Sequence, residues 1–409
     1  MKPIVIIGIL FSVFGFVTWL GSVLIPYLRI ACELNNLQSY LVAFAFYISY
    51  TVMAIPSAGV LKRTGYKKGM ALGLLIMALG ALLFIPAALT RMYSLFLGGL
   101  FVQGTGLAIL QTASNPYITI LGPRESAARR ISIMGICNGI AGVLAPIILG
   151  AVTLKDADKI QQGLGRLPAA QKTAALEALA QRAILPYSII LATLVLLAIL
   201  VFYSGLPELD TDAENAGTEG TAAQKKSILQ YPHLLLGVVT LFLYVGVEVI
   251  AGDTIISYGS SQGIALSTAR FFTSCTLVSM LAGYMAGIIC IPKYISQQHA
   301  LTVSAILGII LAFGALFSHG ALSVAFVALL GFANSLMWPS IWPLAIADLG
   351  RFTRTGSSLL VMAIGGGALL PLAYGRLADV FSPQHAYWIV VPCYICIFYY
   401  AISGHKIRT

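Results

Sequence analysis

Twelve long apolar stretches run through the chain, and they constrain its fold more than any other feature of the sequence. A hydrocarbon core about 30 Å thick requires roughly 20 apolar residues in each helix that crosses it. The chain supplies such stretches repeatedly, with 59% hydrophobic residues and only 9% charged ones. A soluble domain averages about 25% charged residues, so water cannot solvate the surface of this chain. The sequence therefore predicts an all-α membrane protein with twelve transmembrane helices.

The polar residues between the apolar stretches set the predicted boundaries. Most connectors are short, but residues 154–182 and 205–232 are longer. The first of them contains an Ala-rich stretch after Pro168 that predicts a surface helix. The second lies at the midpoint and predicts a flexible cytoplasmic linker between a six-helix bundle over 1–204 and another over 233–409. The predicted spans are 3–28, 37–61, 69–90, 93–121, 131–153, 183–204, 233–259, 267–292, 299–317, 321–349, 357–379 and 385–404.

The basic residues divide unequally between the two sides of the membrane. Of the 24 Lys and Arg residues, fifteen fall on the side that carries the N-terminus and nine on the other. Connectors rich in Lys and Arg remain in the cytoplasm. Both termini and the linker are therefore predicted to be cytoplasmic, in a multi-pass protein of the cytoplasmic (inner) membrane. This distribution accounts for the net charge of +10 without a nucleic-acid partner.

The two halves share a series of sequence elements in the same order. Residues 111–116 are polar and end in a Pro, a basic loop follows, and a Gly-rich span then reaches Pro146. Residues 334–339 open the same series, which reaches Pro371. The interval from Pro to Pro is 30 residues in the first half (116 to 146) and 32 in the second (339 to 371). Internal repeats of this kind are typical of carriers whose binding site lies between two moving halves.

With this repeat and span count, the chain resembles the major facilitator superfamily. Residues 56–69 (PSAGVLKRTGYKKG) look like the superfamily's cytoplasmic gating motif. Residues 110–119 (LQTASNPYIT) and 337–341 (MWPSI) are similar to the fucose:proton symporter and glucose/galactose transporter family. The resemblance implies two pseudo-symmetric six-helix halves and monosaccharide uptake driven by a cation gradient. The gating residues that it implies are Gly59, Arg63, Gly65 and Lys67.

Polar and aromatic side chains inside the spans are the candidate substrate contacts. A polar group without a hydrogen-bond partner in hydrocarbon lowers stability by roughly several kcal/mol. A polar residue within a span is therefore expected to bind a solute or to form hydrogen bonds between helices. Gln111 and Asn115 share a helix face, and each amide offers donors and acceptors to sugar hydroxyls. An indole ring offers an apolar face to a sugar. Interhelical hydrogen bonding or plain packing is the alternative for each. The predicted substrate-binding residues are Gln111, Asn115, Asn138, Asn334, Trp19 and Trp338.

Two carboxylates, Glu248 and Asp253, lie well inside the seventh span and are predicted to couple transport to a cation. At 1.5 Å per residue they differ in depth by about 7–8 Å, and their side chains point about 140° apart. They are expected to bind H⁺, or to bind Na⁺ together with nearby carbonyls and hydroxyls. No catalytic residue, cofactor or other metal is expected, because the five His residues show no metal-ligand spacing. The chain is therefore predicted not to be an enzyme.

The same comparison shows a departure at the positions of two acids. Fucose symporters carry one acid in the first span, at a position matching Ser22 ahead of Pro26, and a second at the position of Gln111. Gln111 resembles the glucose/galactose branch, whereas Gly21 and Ser22 depart from that branch as well. Three mechanisms remain: proton binding by the seventh span, Na⁺ binding there, or uncoupled transport.

The predicted function is import of a glucose- or galactose-like hexose by alternating access, coupled to Na⁺ or H⁺. An uncoupled sugar facilitator and an exporter of another small amphiphilic solute are the alternatives. The amides in place of acids in the first half weigh against an exporter of drugs. The expected partners are the sugar and the lipid bilayer, and a monomer is the expected oligomeric state.

Overall fold

The computed structural model describes residues 3–120, 127–164, 167–206, 227–291, 293–347, 349 and 352–407. Twelve of the helices in these residues are long and apolar enough to cross a membrane, which confirms the predicted count and fold class. We call them spans 1 to 12. They are Ile4–Ala31, Asn36–Thr64, Tyr66–Thr90, Tyr93–Ser114, Ile133–Thr153, Ala169–Tyr203, Pro232–Asp253, Leu266–Cys290, Gln297–Phe317, Gly320–Ile346, Thr355–Val380 and Pro383–Lys406.

Several spans are built from more than one helix. Span 1 is divided at Leu20, and span 7 is followed, after Thr254, by the short helix Ile255–Ser261. Leu20 and Thr254 both keep backbone angles in the right-handed helical region. Six spans (1, 6, 8, 10, 11 and 12) each contain two α-helices. In chain order these helices are Pro3–Trp19, Gly21–Ala31, Ala169–Gln181, Ile184–Tyr203, Leu266–Ala269, Phe272–Cys290, Gly320–Asn334, Met337–Ile346, Thr353–Met362, Gly366–Val380, Pro383–Ala386 and Val390–Ile402. Beyond the span limits, the helices of spans 4 and 5 extend over Tyr93–Ile120 and Ala127–Thr153.

Successive spans run in opposite directions, so their ends form two faces. We call the face where span 1 begins the N-terminal face and the face where it ends the far face. On the N-terminal face a single residue, Gly65, joins span 2 to span 3, with φ +75° and ψ 171°. Only Gly adopts this backbone region readily, so the turn itself explains the Gly65 of the predicted gating motif.

The surface helix predicted after Pro168 is present as Ala169–Gln181 on the far face. The Tyr27 hydroxyl of span 1 donates hydrogen bonds to the carbonyls of Leu179 and Ala180, at 2.8 and 2.7 Å. Lys172 on the same helix lies 2.5 Å from Glu33, which also pairs with Arg91 at 3.4 Å. The hydrogen bond from Lys172, with the charges of Lys172 and Arg91, lowers the pKa of the Glu33 carboxyl. These bonds tie the surface helix to its own half. A second helix, Ala157–Leu164, precedes it and was not predicted.

Close helix crossings rest on glycines in both halves. A Cβ on Gly15 of span 1 would collide with the backbone carbonyl of Asn138 in span 5. In the second half, a Cβ on Gly366 of span 11 would collide with the carbonyl of Phe242 in span 7. Small residues at such crossings let helix backbones approach in the membrane, where lipid supplies no hydrophobic drive for association.

We expect Gly366→Ala to destabilise the protein by about 1–3 kcal/mol, because a backbone carbonyl has little room to move away from the added methyl group. The matched control is Gly98→Ala in span 4, where a Cβ would meet nothing within 4 Å. The control should change stability little, since Ala also has the better helix propensity. Melting temperatures of the two purified variants in detergent test this, and equal melting would contradict the packing assignment.

The two halves contact each other in the middle of the membrane and towards the far face. Spans 5 and 8 meet where Ser274 donates to the Val143 carbonyl at 2.8 Å. Spans 2 and 11 meet where Thr51 donates to the Met362 carbonyl at 3.2 Å. Nearer the far face, the ring of Tyr40 lies edge-on to Tyr374, with ring centroids 5.4 Å apart. The structure is therefore closed at the far face. Residues 207–226, most of the predicted linker, lie outside the described residues.

Candidate substrate and ion site

In the first half, Gln111 and a group of tyrosines form the polar part of the site. The Gln111 amide donates to the Tyr50 hydroxyl at 3.3 Å, which joins span 4 to span 2. Tyr47 stacks on Tyr50, with ring centroids 6.5 Å apart and an interplanar angle of 27°. Gln111 is half-buried, whereas both tyrosine rings are buried. The amide therefore keeps accessible surface while its orientation is held by a phenol.

In the second half, Glu248 lies near the middle of span 7 and is also half-buried. It accepts a hydrogen bond from the Tyr244 hydroxyl at 2.8 Å, one helical turn away. The ring of Tyr244 packs beside Trp338 of span 10 at 6.4 Å between centroids, and Trp338 stacks on Trp342 at 5.4 Å. A carboxylate oriented by a phenol next to an indole face suits a sugar, which presents hydroxyls and an apolar face together.

Tyr47 connects the polar groups of the two halves. Its hydroxyl lies within electrostatic range of the Glu248 and Asp253 carboxylates of span 7. Its ring lies against Gly367 of span 11, where an added Cβ would come within 3.1 Å. The phenols of Tyr284 and Tyr394 also lie within electrostatic range of Glu248. The polar groups of spans 2, 4 and 7 thus belong to one region at the middle of the membrane.

Asp253 has a different environment from Glu248. It is 1% exposed, and no described residue forms a hydrogen bond with either carboxylate oxygen. It lies across the boundary between the halves from Gly21, whose Cβ would be 3.3 Å from Oδ2. A charged carboxylate in such a place is costly unless a proton or a cation neutralises it. Asp253 is therefore suited to binding an ion, and Glu248 is better placed for a solute.

Trp19, a predicted substrate contact, is packed at the boundary between the halves. Its indole lies against Gly142 of span 5 and Gly252 of span 7, and a Cβ on either glycine would overlap the ring. Leu277 and Met280 of span 8 complete the cluster around it. The ring is 7% exposed. Trp19 is therefore held between the two halves in this conformation, and its contact with substrate stays a prediction.

The three predicted asparagines differ in their surroundings. The Oδ1 atom of Asn334 accepts a hydrogen bond from the Tyr394 hydroxyl at 2.8 Å, so this buried side chain joins spans 10 and 12. Asn138 packs its backbone carbonyl against Gly15, and its side chain is half-buried. The side chain of Asn115 lies outside the described residues.

The predicted gating residues line the N-terminal face at the connection between spans 2 and 3. Gly59 and Arg63 are exposed, Lys67 is half-buried, and a Cβ on Gly59 would meet nothing within 4 Å. Gly65 makes the turn described above. Their role in gating stays a prediction.

The predicted sugar contacts include tryptophans but not the tyrosines, which the structure places beside Gln111 and Glu248. A pattern that identifies them is present: Tyr40, Tyr47 and Tyr50 recur at helical spacing in span 2, and Tyr244 stands four residues before Glu248. Within the part of the chain that the structure describes, no three His, Cys, Asp or Glu side chains form a group able to hold a metal ion.

Comparison with known proteins agrees with this architecture. The family model described as Major Facilitator Superfamily matches residues 6–371. The glucose/galactose transporter of Brucella abortus is 36% identical over 407 residues, which cover 97% of this chain and 93% of the relative. The L-fucose-proton symporter of Escherichia coli K12 is 29% identical, covering 98% of this chain and 92% of the relative. The crystal structure of the transporter FucP in the outward conformation superposes with a TM-score of 0.72, at 29% identity and 98% coverage of both chains.

Proposed function

The chain belongs to the major facilitator superfamily, and we propose that it imports a glucose- or galactose-like hexose by alternating access, driven by a cation gradient. Membership of this superfamily makes it a transporter rather than an enzyme. The observation that carries the proposal is the region between the halves where Gln111 bonds to Tyr50, Tyr47 stacks on Tyr50, and the Tyr47 hydroxyl lies within electrostatic range of Glu248 of the other half. A solute bound there contacts both halves, as alternating access requires.

The chemistry of the region supports a sugar as the solute. Gln111 and Glu248 offer an amide and a carboxylate to hydroxyl groups, and Trp338 offers an aromatic face. All three side chains are half-buried, so each retains surface that a bound solute covers. The relative from Brucella abortus is named for glucose and galactose. The same arrangement argues against an exporter of amphiphiles, which would require a wider apolar surface.

Cation coupling is assigned to Asp253. Its buried carboxylate has no hydrogen-bond partner among the described residues and faces Gly21 across the boundary between the halves. Gly21 is adjacent to Ser22, which matches the position of the first-span acid in the fucose symporters. A carboxylate from span 7 therefore stands close to the place that family gives to an acid from span 1. Its neutralisation by H⁺ or Na⁺ permits burial while the halves are closed over it.

The N-terminal face is cytoplasmic in this proposal, since the basic connectors lie there. Both termini then face the cytoplasm, and the far face is the outer face of the cytoplasmic membrane. The contacts at the far face then close the site towards the outside. We propose that the protein works as a monomer with both halves of the site in one chain.

Uptake of radiolabelled hexoses into proteoliposomes tests the proposal, with Na⁺ and pH gradients imposed separately. We expect concentrative uptake of glucose or galactose under one of the two gradients, which also identifies the ion. Equilibration without accumulation would identify an uncoupled facilitator. Failure of every hexose to enter, while protein-free liposomes behave as expected, would refute sugar transport.

A further inference from the structure

Two carboxylates on the far face bridge the halves in the same manner. Asp158 follows span 5 and accepts hydrogen bonds from the backbone N–H groups of Leu266 and Ser267, at 2.8 and 3.0 Å. Asp379 ends span 11 and accepts from the N–H groups of Asn36 and Leu37, at 3.0 and 2.8 Å. Each carboxylate thus holds two consecutive N–H groups where a span of the other half begins.

The twofold repeat relates these two contacts to each other. In the twofold repeat, span 5 corresponds to span 11 and span 2 to span 8. Asp158 joins span 5 to the start of span 8, and Asp379 joins span 11 to the start of span 2. The residues are not at equivalent sequence positions, since Asp158 lies twelve residues after Pro146 (146 to 158) and Asp379 eight after Pro371 (371 to 379). The same contact is therefore built from two different local sequences.

At the start of span 2, the contact with Asp379 supplies partners for N–H groups that the span itself leaves unpaired. The first N–H groups of a helix have no partner within it. Asn35 and Gln38 satisfy each other through a capping box, with bonds of 3.0 and 2.7 Å. The N–H groups of Asn36 and Leu37, which lie between them, are bound by Asp379 of the other half. When the halves separate at the far face, the two N–H groups and the Asp379 carboxylate must form hydrogen bonds with water instead.

From this geometry we infer that Asp158 and Asp379 form a paired outer gate, in which each carboxylate caps a helix of the opposite half and is released each time the far face opens. The inference rests on the alternating access of the proposed function. Asp379 is exposed and Asp158 half-buried, so water competes for both. A contact of that kind biases the conformational equilibrium without locking it, as a gate in a cycling transporter requires.

The gate explains two charges that the sugar and ion sites do not use. Both lie at the outer ends of the interfaces between spans 5 and 8 and between spans 2 and 11. Below the Asp158 cap, Arg270 donates to the Gly150 carbonyl at 3.3 Å and Ser274 to the Val143 carbonyl. Below the Asp379 cap, Tyr40 packs against Gly375. Each cap therefore lies at the outer end of one interface, and both interfaces separate when the far face opens.

The opening is measured as the distance between two spin labels, one at Thr90, the exposed last residue of span 3, and one at His319, exposed between spans 9 and 10 of the other half. The labels are attached to introduced cysteines in a variant without the six native ones. We expect Asp158→Asn and Asp379→Asn each to raise the ratio of long to short distances about fivefold. The double variant should approach the product of the two effects if the caps act independently.

Glu33→Gln is the matched control, because Glu33 is a far-face carboxylate whose partners Arg91 and Lys172 both belong to its own half. It should leave the distance distribution as in the unsubstituted protein. Unchanged distributions in both aspartate variants, or an equal shift in the control, would overturn the gate. The readout requires no sugar, so hexose uptake by the same proteins tests the transport proposal separately. If one single variant fails to fold, the other still decides the question.

Discussion

Asp253→Asn is expected to abolish accumulation of sugar against its gradient while leaving exchange of sugar across the membrane. The amide has the size of the carboxylate, so the packing against Gly21 is preserved. It takes up no proton and carries no charge to attract a cation, so the coupling ion loses its site. With one ion per sugar, a tenfold ion gradient supports at most about tenfold accumulation. We expect this ratio to fall to about one in the variant, measured in proteoliposomes under the productive gradient.

Two further variants sharpen this test. Glu177→Gln removes an exposed carboxylate from the surface helix and should leave accumulation unchanged. The double variant Gly21→Asp with Asp253→Gly moves the carboxylate across the boundary between the halves while keeping a small residue opposite it. Partial recovery of accumulation would show that the place of the charge matters more than the span that carries it. Normal accumulation by Asp253→Asn would disprove its role in coupling.

Glu248→Gln is expected to weaken sugar binding about 10- to 100-fold. The half-buried Glu248 side chain lies beside Tyr244 and near Trp338, and in the proposed function its carboxylate accepts hydrogen bonds from sugar hydroxyls. Hydrogen bonds to a charged group contribute about 1.5–3 kcal/mol, and the amide retains part of that interaction. The affinity, measured by isothermal titration with the transported hexose, should fall while the melting temperature of the unliganded protein stays close to that of the parent.

The two seventh-span variants are controls for each other, because both replace a carboxylate by its amide on the same span. Asp253→Asn should lose ion-driven accumulation and retain sugar binding, whereas Glu248→Gln should lose affinity for sugar. Gln111→Ala, on the opposite side of the site, should resemble Glu248→Gln. Identical defects in both seventh-span variants would show that ion and sugar share a single site. Unchanged sugar affinity in Glu248→Gln would remove that residue from the site.

Part of the candidate site could be predicted from the sequence, because a polar residue within an apolar span stands out. Gln111, Glu248 and Asp253 were predicted in this way; the structure shows their surroundings, and their roles stay predictions. The sequence did not single out Tyr47, Tyr50 and Tyr244, because a tyrosine within a span often only packs against its neighbours. Their importance lies in the hydrogen bonds and stacking that orient the amide and the carboxylate, and these depend on contacts between spans far apart in sequence.

The sequence by itself determined the twelve spans, the twofold repeat and the superfamily. The thickness of the membrane requires an apolar stretch of about 20 residues for each span, and such a stretch is a local property of the sequence. Only the tertiary structure decided which polar groups meet. It placed Asp253 against Gly21 and Glu248 beside Tyr244, so the two carboxylates have different surroundings. It also brought Asp158 and Asp379, which in sequence are ordinary polar residues at span ends, onto helix starts of the opposite half. Hydrogen bonds act over about 3 Å, and packing between distant segments decides which groups come that close.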